Sequence, residues 1–119
     1  MYDHIGITVS DLQASIRFYQ AALAPLGHVL GSHDDSYAGF GPPDAPALWL
    51  YAGEGTALAK THIAFRAGEH KAVKAFHKAG LEAGGSDNGA PGPRPDYSAS
   101  YYAAFLIDPD GNNVEAVCL

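Results

Sequence analysis

A chain of 119 residues has the length of one domain and buries roughly two-thirds of the surface its unfolded form exposes, so it needs no disulfide to fold. Its net charge of −6, from 7 Lys and Arg against 13 Asp and Glu, supplies no clustered basic face and speaks against nucleic-acid or membrane partners. No apolar run has membrane-span length, Met1-Tyr2-Asp3-His4 lacks the pattern of a signal peptide, and the single Cys118 has no internal partner, which together predict a cytoplasmic protein.

The run from Asp3 to Val9 alternates, with Ile5, Ile7 and Val9 on one face and His4, Gly6 and Thr8 on the other, as in a half-buried strand. A helix follows. Ser10 and Gln13 have the spacing of a capping box, Asp11 suits the positive helix start, and Leu12, Ile16, Tyr19 and Leu23 form an apolar stripe that Pro25 and Gly27 end. From Gly27 to Gly53, three short apolar runs separated by turn residues predict three strands: His28–Leu30, Tyr37–Phe40 and Ala47–Tyr51.

The pattern then starts again. A shift of 58 positions sets His4 on His62, Ile5 on Ile63, Asp11 on Glu69, Phe18 on Phe76, Leu23 on Leu81 and Gly27 on Gly85, an internal repeat. The second helix is expected over Glu69–Ala79, with Val73 and Phe76 inward, Lys71, Lys74 and Lys78 in solvent, and Gly80 as its stop. A longer Gly/Pro-rich loop, Ser86–Ser100, of a kind that can cover a site, precedes a closing hairpin. That hairpin pairs Tyr101–Ile107 with Val114–Val117 across the turn Asp108-Pro109-Asp110-Gly111-Asn112-Asn113. If the last strands of the copies correspond, Trp49 is the counterpart of Glu115. The fold class is therefore α+β: a single domain of two βαβββ modules, about 1–57 and 58–119, forming a curved, cup-like mixed sheet with helices outside.

Glu115 lies in the middle of an otherwise apolar strand, where an unpaired carboxylate costs several kcal/mol, a figure on the order of any buried ion's penalty. Duplication places His4 and His62 at equivalent positions, each on the face opposite the apolar one, and alternation turns Glu115 toward the same hollow. Two imidazoles and a carboxylate from three strands are the ligand set of an open divalent metal site, suited to Fe, Mn, Zn, Ni or Co. Trp49 and Tyr51 share a strand face and are expected to line the hollow. Tyr101 and Tyr102 point to opposite faces, so one of them reaches it. This lining favours a small, partly aromatic, oxygen-bearing ligand.

The two-copy βαβββ plan, His4, His62 and the Asp108–Asn113 turn followed by Val114-Glu115 resemble the vicinal oxygen chelate superfamily, which includes glyoxalase I, fosfomycin resistance enzymes, extradiol dioxygenases and bleomycin resistance proteins. The resemblance covers essentially the whole chain. It implies that His4, His62 and Glu115 hold a divalent ion that chelates two adjacent substrate oxygens and stabilises an enediolate or oxyanion. It further implies a metalloenzyme of lyase, isomerase or dioxygenase type acting on a small molecule, and a homodimer, in which His4 of one subunit can meet His62 and Glu115 of the other. Trp49 stands where glyoxalase I carries a Glu that is ligand and proton carrier, a role an indole cannot take. Fosfomycin enzymes need cations for a phosphonate, for which Arg66 and Arg94 are the candidates. Dioxygenases need a further acid or base, for which His33, Tyr97, Tyr101 and Tyr102 are candidates. The same family offers an alternative, a metal-free protein that binds a drug-like ligand in a dimer groove, as bleomycin resistance proteins do.

Overall fold

The computed structural model describes residues 1–53 and 60–119. The first module runs β1 (Ile5–Val9), α1 (Leu12–Leu23), a 3-10 turn (Ala24–Leu26), β2 (Val29–His33), β3 (Tyr37–Gly41) and β4 (Leu48–Ala52). The second runs β5 (His62–Arg66), α2 (His70–Glu82), β6 (Ser86–Pro93), β7 (Tyr102–Ile107) and β8 (Asn113–Cys118). Each module forms its own four-stranded mixed sheet, ordered β1-β4-β3-β2 and β5-β8-β7-β6, so the helix after each first strand carries the chain to the far edge and two antiparallel turns bring the fourth strand back parallel to the first. The repeat holds in register. Gly6 pairs with Trp49 and Ala64 with Glu115. The expected boundary between the copies, at residues 57 and 58, lies outside the described residues.

α1 covers one face of the first sheet, α2 covers one face of the second, and the helices pack on each other. Val9, Tyr19, Phe40, Leu50, Phe76 and Leu106 meet in one buried core. The other face of each sheet stays open, with Gly6, Thr8 and Tyr51 exposed on the first and His62, Ala64 and Arg66 on the second. Two helix limits differ from expectation. Asp11, not Ser10, caps α1, its carboxylate accepting from the Ala14 amide at 3.0 Å; Ser10 is taken by another partner described below. Gly80 does not stop α2 but lies within it, because a side chain there would collide with Leu106, Phe18 and Ala22. The helix ends instead at Glu82, with Ala83 as its C-cap and then Gly84 at φ +102, a left-handed position that glycine takes without strain.

The expected loop Ser86–Ser100 is also corrected: residues Ser86–Pro93 form β6, the second strand of the second module. It is an edge strand, paired only with β7, and its register slips twice, around Gly89 and before Gly92. Those are the places where Gly and Pro are tolerated in a sheet, which is why the run reads as a loop. Arg94 holds the irregular strand, donating to the carbonyls of Ala90 at 2.8 Å, Gly92 at 2.8 Å and Pro93 at 3.3 Å.

The Asp108–Asn113 turn ties the modules together. The Gly111 amide closes it on the Asp108 carbonyl at 3.0 Å. The buried Asp108 carboxylate accepts from the amides of Asp110 and Asn112, from the Asn112 side chain and, at 2.6 Å, from the Tyr19 hydroxyl of α1. Asp110 accepts from the amide and hydroxyl of Ser10, which places a negative charge at the positive end of α1. No helix among the described residues is long and apolar enough to cross a membrane.

Candidate metal half-site and aromatic hollow

Glu115 sits at the centre of β8 between Ala64 of β5 and Phe105 of β7, and only 2% of it is exposed. Both carboxylate oxygens are engaged. Tyr101, just before β7, donates its hydroxyl to Oε1, and Nε2 of His62 stands 3.1 Å from Oε2. The bond to Glu115, with partial burial, pushes the Tyr101 phenol up to about 12. It therefore keeps its proton at neutral pH and acts as a donor that orients the carboxylate, not as a base. Tyr97 packs edge-on against its ring at 5.1 Å.

The His62–Glu115 contact has a definite electrostatic demand. Nδ1 of His62 lies 3.3 Å from the Asn113 carbonyl, a group that only accepts, so this nitrogen carries the proton. Nε2 and the carboxylate oxygen are then two lone pairs facing each other, unless a proton or a metal ion stands between them. Two donors each about 2.1 Å from a tetrahedral or octahedral ion are roughly 3.0–3.4 Å apart, so the observed spacing suits two neighbouring ligands of one ion.

His4 immediately precedes β1 of the other sheet. Its Nδ1 is 2.7 Å from the Asp3 carboxylate, and its side chain is 57% exposed. A carboxylate holding Nδ1–H leaves Nε2 free, as in many metal-bound imidazoles. Among the described residues, no three His, Cys, Asp or Glu side chains gather into a metal-holding group. One chain thus brings His62 to Glu115, and His4 does not complete a group of three with them among the described residues.

The open face of the first sheet carries the aromatic residues. Trp49 lies flat over Gly39 and Tyr51 over Gly6, so closely that a methyl group on either glycine would meet the rings at 2.6 and 2.8 Å. Tyr37 tilts against Trp49 with ring centres 6.0 Å apart. Asp3, His4, Ser32, Tyr37, Pro46, Trp49 and Tyr51 enclose an open hollow of about 560 Å³. Tyr37 and Asp3 were not singled out in the sequence, although Asp3 adjoins His4 and Tyr37 falls in an expected strand. Arg66 is exposed at the end of β5, on the same face as His62. Arg94 stacks over Phe105 at 5.4 Å, but its guanidinium is turned to the β6 carbonyls. Tyr102 points the other way and stacks on His70 of α2 at 3.8 Å, away from Glu115. His33, on the edge strand β2, turns Nδ1 to the Gly31 carbonyl at 2.9 Å.

The doubled βαβββ fold carries an imidazole–carboxylate pair on one open face and aromatic rings on the other. The family profile for the glyoxalase/bleomycin resistance protein/dioxygenase superfamily matches residues 2–116. The chain belongs to that superfamily. Among solved structures, a glyoxalase/bleomycin resistance protein from Albidiferax ferrireducens T118 is 30% identical with a TM-score of 0.86, covering 100% of this chain and 99% of that one. A glyoxalase I mutant from Zea mays is 28% identical with a TM-score of 0.73, over 97% of this chain and 45% of that one. A glyoxalase-related enzyme from Fulvimarina pelagi, at 18% identity, a TM-score of 0.78 and coverage of 100% and 88%, shares the fold. No curated protein matches the chain.

Proposed function

We propose that the protein is a homodimeric, metal-dependent enzyme acting on a small oxygen-bearing molecule, with each site built from two chains. His62 and Glu115 of one subunit and His4 of the other would hold a divalent ion, one of Fe, Mn, Zn, Ni or Co. The ion would supply Lewis acidity to two adjacent oxygens of the substrate. The observation that carries this reading is the 3.1 Å approach of His62 Nε2 to Glu115 Oε2, two lone pairs that require a cation between them. Tyr101 would keep Glu115 turned toward the ion by holding its other oxygen. Trp49, Tyr51 and Tyr37 would form the wall against which a flat part of the substrate rests, with Arg66 at the rim. The free, buried Cys118 accords with a reducing compartment, the cytoplasm.

A second reading rests on the same contact. A proton can take the place of the ion, making His62 the cation that meets Glu115, and the protein would then be a metal-free binder of an aromatic ligand, like a bleomycin resistance protein. Elemental analysis of protein purified without chelator separates the two. The enzyme reading expects about one ion per site; its absence at full metal supplementation would leave the binding reading. A mixed dimer of His4→Ala and Glu115→Ala chains tests the sharing. A site divided between subunits leaves one intact copy, whereas a site within one chain leaves none.

A further inference from the structure

We infer that Arg66 anchors an acidic group, so that the open face of the second sheet takes a small 2-oxo or 2-hydroxy carboxylate in preference to an uncharged diol. Three residues of β5 look onto that face, His62, Ala64 and Arg66, and all three are exposed. Ala64 pairs with Glu115 and Arg66 with Val117, so Arg66 stands one pleat, about 6.6 Å along the strand, beyond the level of Glu115. Between His62 and Arg66, Ala64 offers only a methyl group, which leaves the space above it to a ligand.

Charge sets the ligand class. Of the seven Lys and Arg in the chain, Arg17 lies on α1 and Lys71, Lys74 and Lys78 on α2, the helices that cover the opposite faces of the sheets. Lys60 donates to the Asp110 carbonyl, and Arg94 to those of Ala90, Gly92 and Pro93. Arg66 is left as the one cation on this face with no ion-pair partner among the described residues. Glu115, the acid nearest in register, does not answer it, because one of its oxygens accepts from Tyr101 and the other faces His62. A guanidinium fork matches the two oxygens of a carboxylate. A 2-oxo or 2-hydroxy acid carries a further oxygen on the next carbon, and so addresses Arg66 and the His62–Glu115 pair together. The inference rests on the reading that this face holds the substrate; it does not require the cation between His62 and Glu115 to be a metal ion.

The test is an NMR titration of the full chain, supplemented with Zn(II) and labelled at the arginine and histidine side-chain nitrogens, using pyruvate and hydroxyacetone. These probes share a carbon skeleton and two adjacent oxygens and differ in charge. Pyruvate is expected to give a saturable shift of the Arg66 Nε signal, and hydroxyacetone none. Arg66→Gln, read at the His62 ring nitrogens, should weaken pyruvate binding by about tenfold or more, the order expected for one hydrogen bond to a charged group. It should leave zinc content and the response to hydroxyacetone as they were. Arg66→Lys, which keeps the charge and loses the fork, should fall between. A non-saturating shift, an equal response of Arg66 to both probes, or unchanged pyruvate affinity in Arg66→Gln would each overturn the inference. Zinc absent at full supplementation with the Arg66 shift intact would overturn the metal reading alone. If Arg66→Gln does not fold, the Arg66 signal of the unmodified chain decides.

Discussion

Trp49 and Glu115 hold the same place in the two sheets: Trp49 pairs with Gly6 across β4 and β1, and Glu115 with Ala64 across β8 and β5. The modules are therefore equivalent in backbone and unequal in chemistry. The first offers an imidazole beside an indole, the second an imidazole beside a carboxylate. Glu115→Gln should reduce bound metal from roughly one ion per site to less than about a tenth of that, because an amide is a poor ligand for these ions. Trp49→Phe should leave metal content unchanged, since an indole donates no lone pair. Elemental analysis after dialysis reads both, and retention of the ion by Glu115→Gln would remove that carboxylate from the site.

Tyr101 bonds to Oε1 of Glu115, so in the proposed metal site it would act on the ion only through that carboxylate. Partners of this kind typically affect metal affinity by about 10- to 100-fold. Tyr101→Phe is expected to weaken binding of Zn(II) or Mn(II) by that factor in calorimetric titration while leaving the circular dichroism spectrum unchanged. Unaltered affinity would show that the hydroxyl has no part in holding the ligand.

The modules are joined by a buried bond, from Tyr19 in α1 to Asp108 in the last turn. A hydrogen bond to a charged group contributes about 1.5–3 kcal/mol, and Tyr19→Phe should lower unfolding stability in urea by that amount without changing the fold. Asp108→Ala should cost more than Tyr19→Phe, because the amides of Asp110 and Asn112 lose their acceptor as well. If Tyr19→Phe has no effect, the turn is held by its internal bonds alone.

Strand alternation and the 58-residue repeat make the fold readable, since both reflect local geometry that every residue in a strand obeys. The pairing of His62 with Glu115 follows from them, because adjacent parallel strands bring their like-facing residues together. What lies outside local pattern is harder to read. β6 hides behind Gly89, Pro91 and Pro93, which an edge strand admits and a central one does not. Gly80 reads as a helix stop because its packing reason, the closeness of Phe18 and Leu106, is tertiary. Tyr19 reads as one more member of an apolar stripe, although its hydroxyl reaches across the modules to Asp108. Alternation leaves Tyr101 and Tyr102 as equals, and the β7–β8 register, with Phe105 opposite Glu115, assigns Tyr101 to the Glu115 side. Whether His4 meets His62 and Glu115 of a second copy, as proposed above, is a matter that no sequence pattern in one chain specifies.

Asp87 on β6 accepts from His77 of α2 at 2.8 Å and from the Gly89 amide at 3.0 Å. The bond from His77, then that from Gly89, hold its carboxyl below the usual carboxylate range. A carboxyl depressed in the folded state contributes stability that is present above its unfolded value, about 3.9, and is lost as pH falls through the lower folded value. Urea midpoints measured at about pH 6 and about pH 3 should therefore fall less in Asp87→Asn than in the unmodified protein, both values bracketing the carboxylate range. An equal fall in the two proteins would show that this pair does not shape the acid limb.

Gly80 decides between two opposing effects in α2. Alanine favours a helix interior over glycine by about 0.8–1 kcal/mol, which would stabilise Gly80→Ala if nothing else touched the site. The added methyl, however, would stand 2.3 Å from Leu106 Cδ1, 3.3 Å from Phe18 Cε1 and 3.5 Å from Ala22 Cβ. Leu106 and Phe18 are fully buried, so neither can swing into solvent, and overpacking of this sort costs about 1–3 kcal/mol. The clash should win, and Gly80→Ala should unfold at lower urea concentration than the unmodified chain. Gly68→Ala is the control: nothing lies within 4 Å of its added carbon, and its midpoint should move by less than the equivalent of about 0.5 kcal/mol. A Gly80→Ala variant as stable as the control would mean that α1, α2 and β7 do not meet as closely as the packing around Leu106 requires.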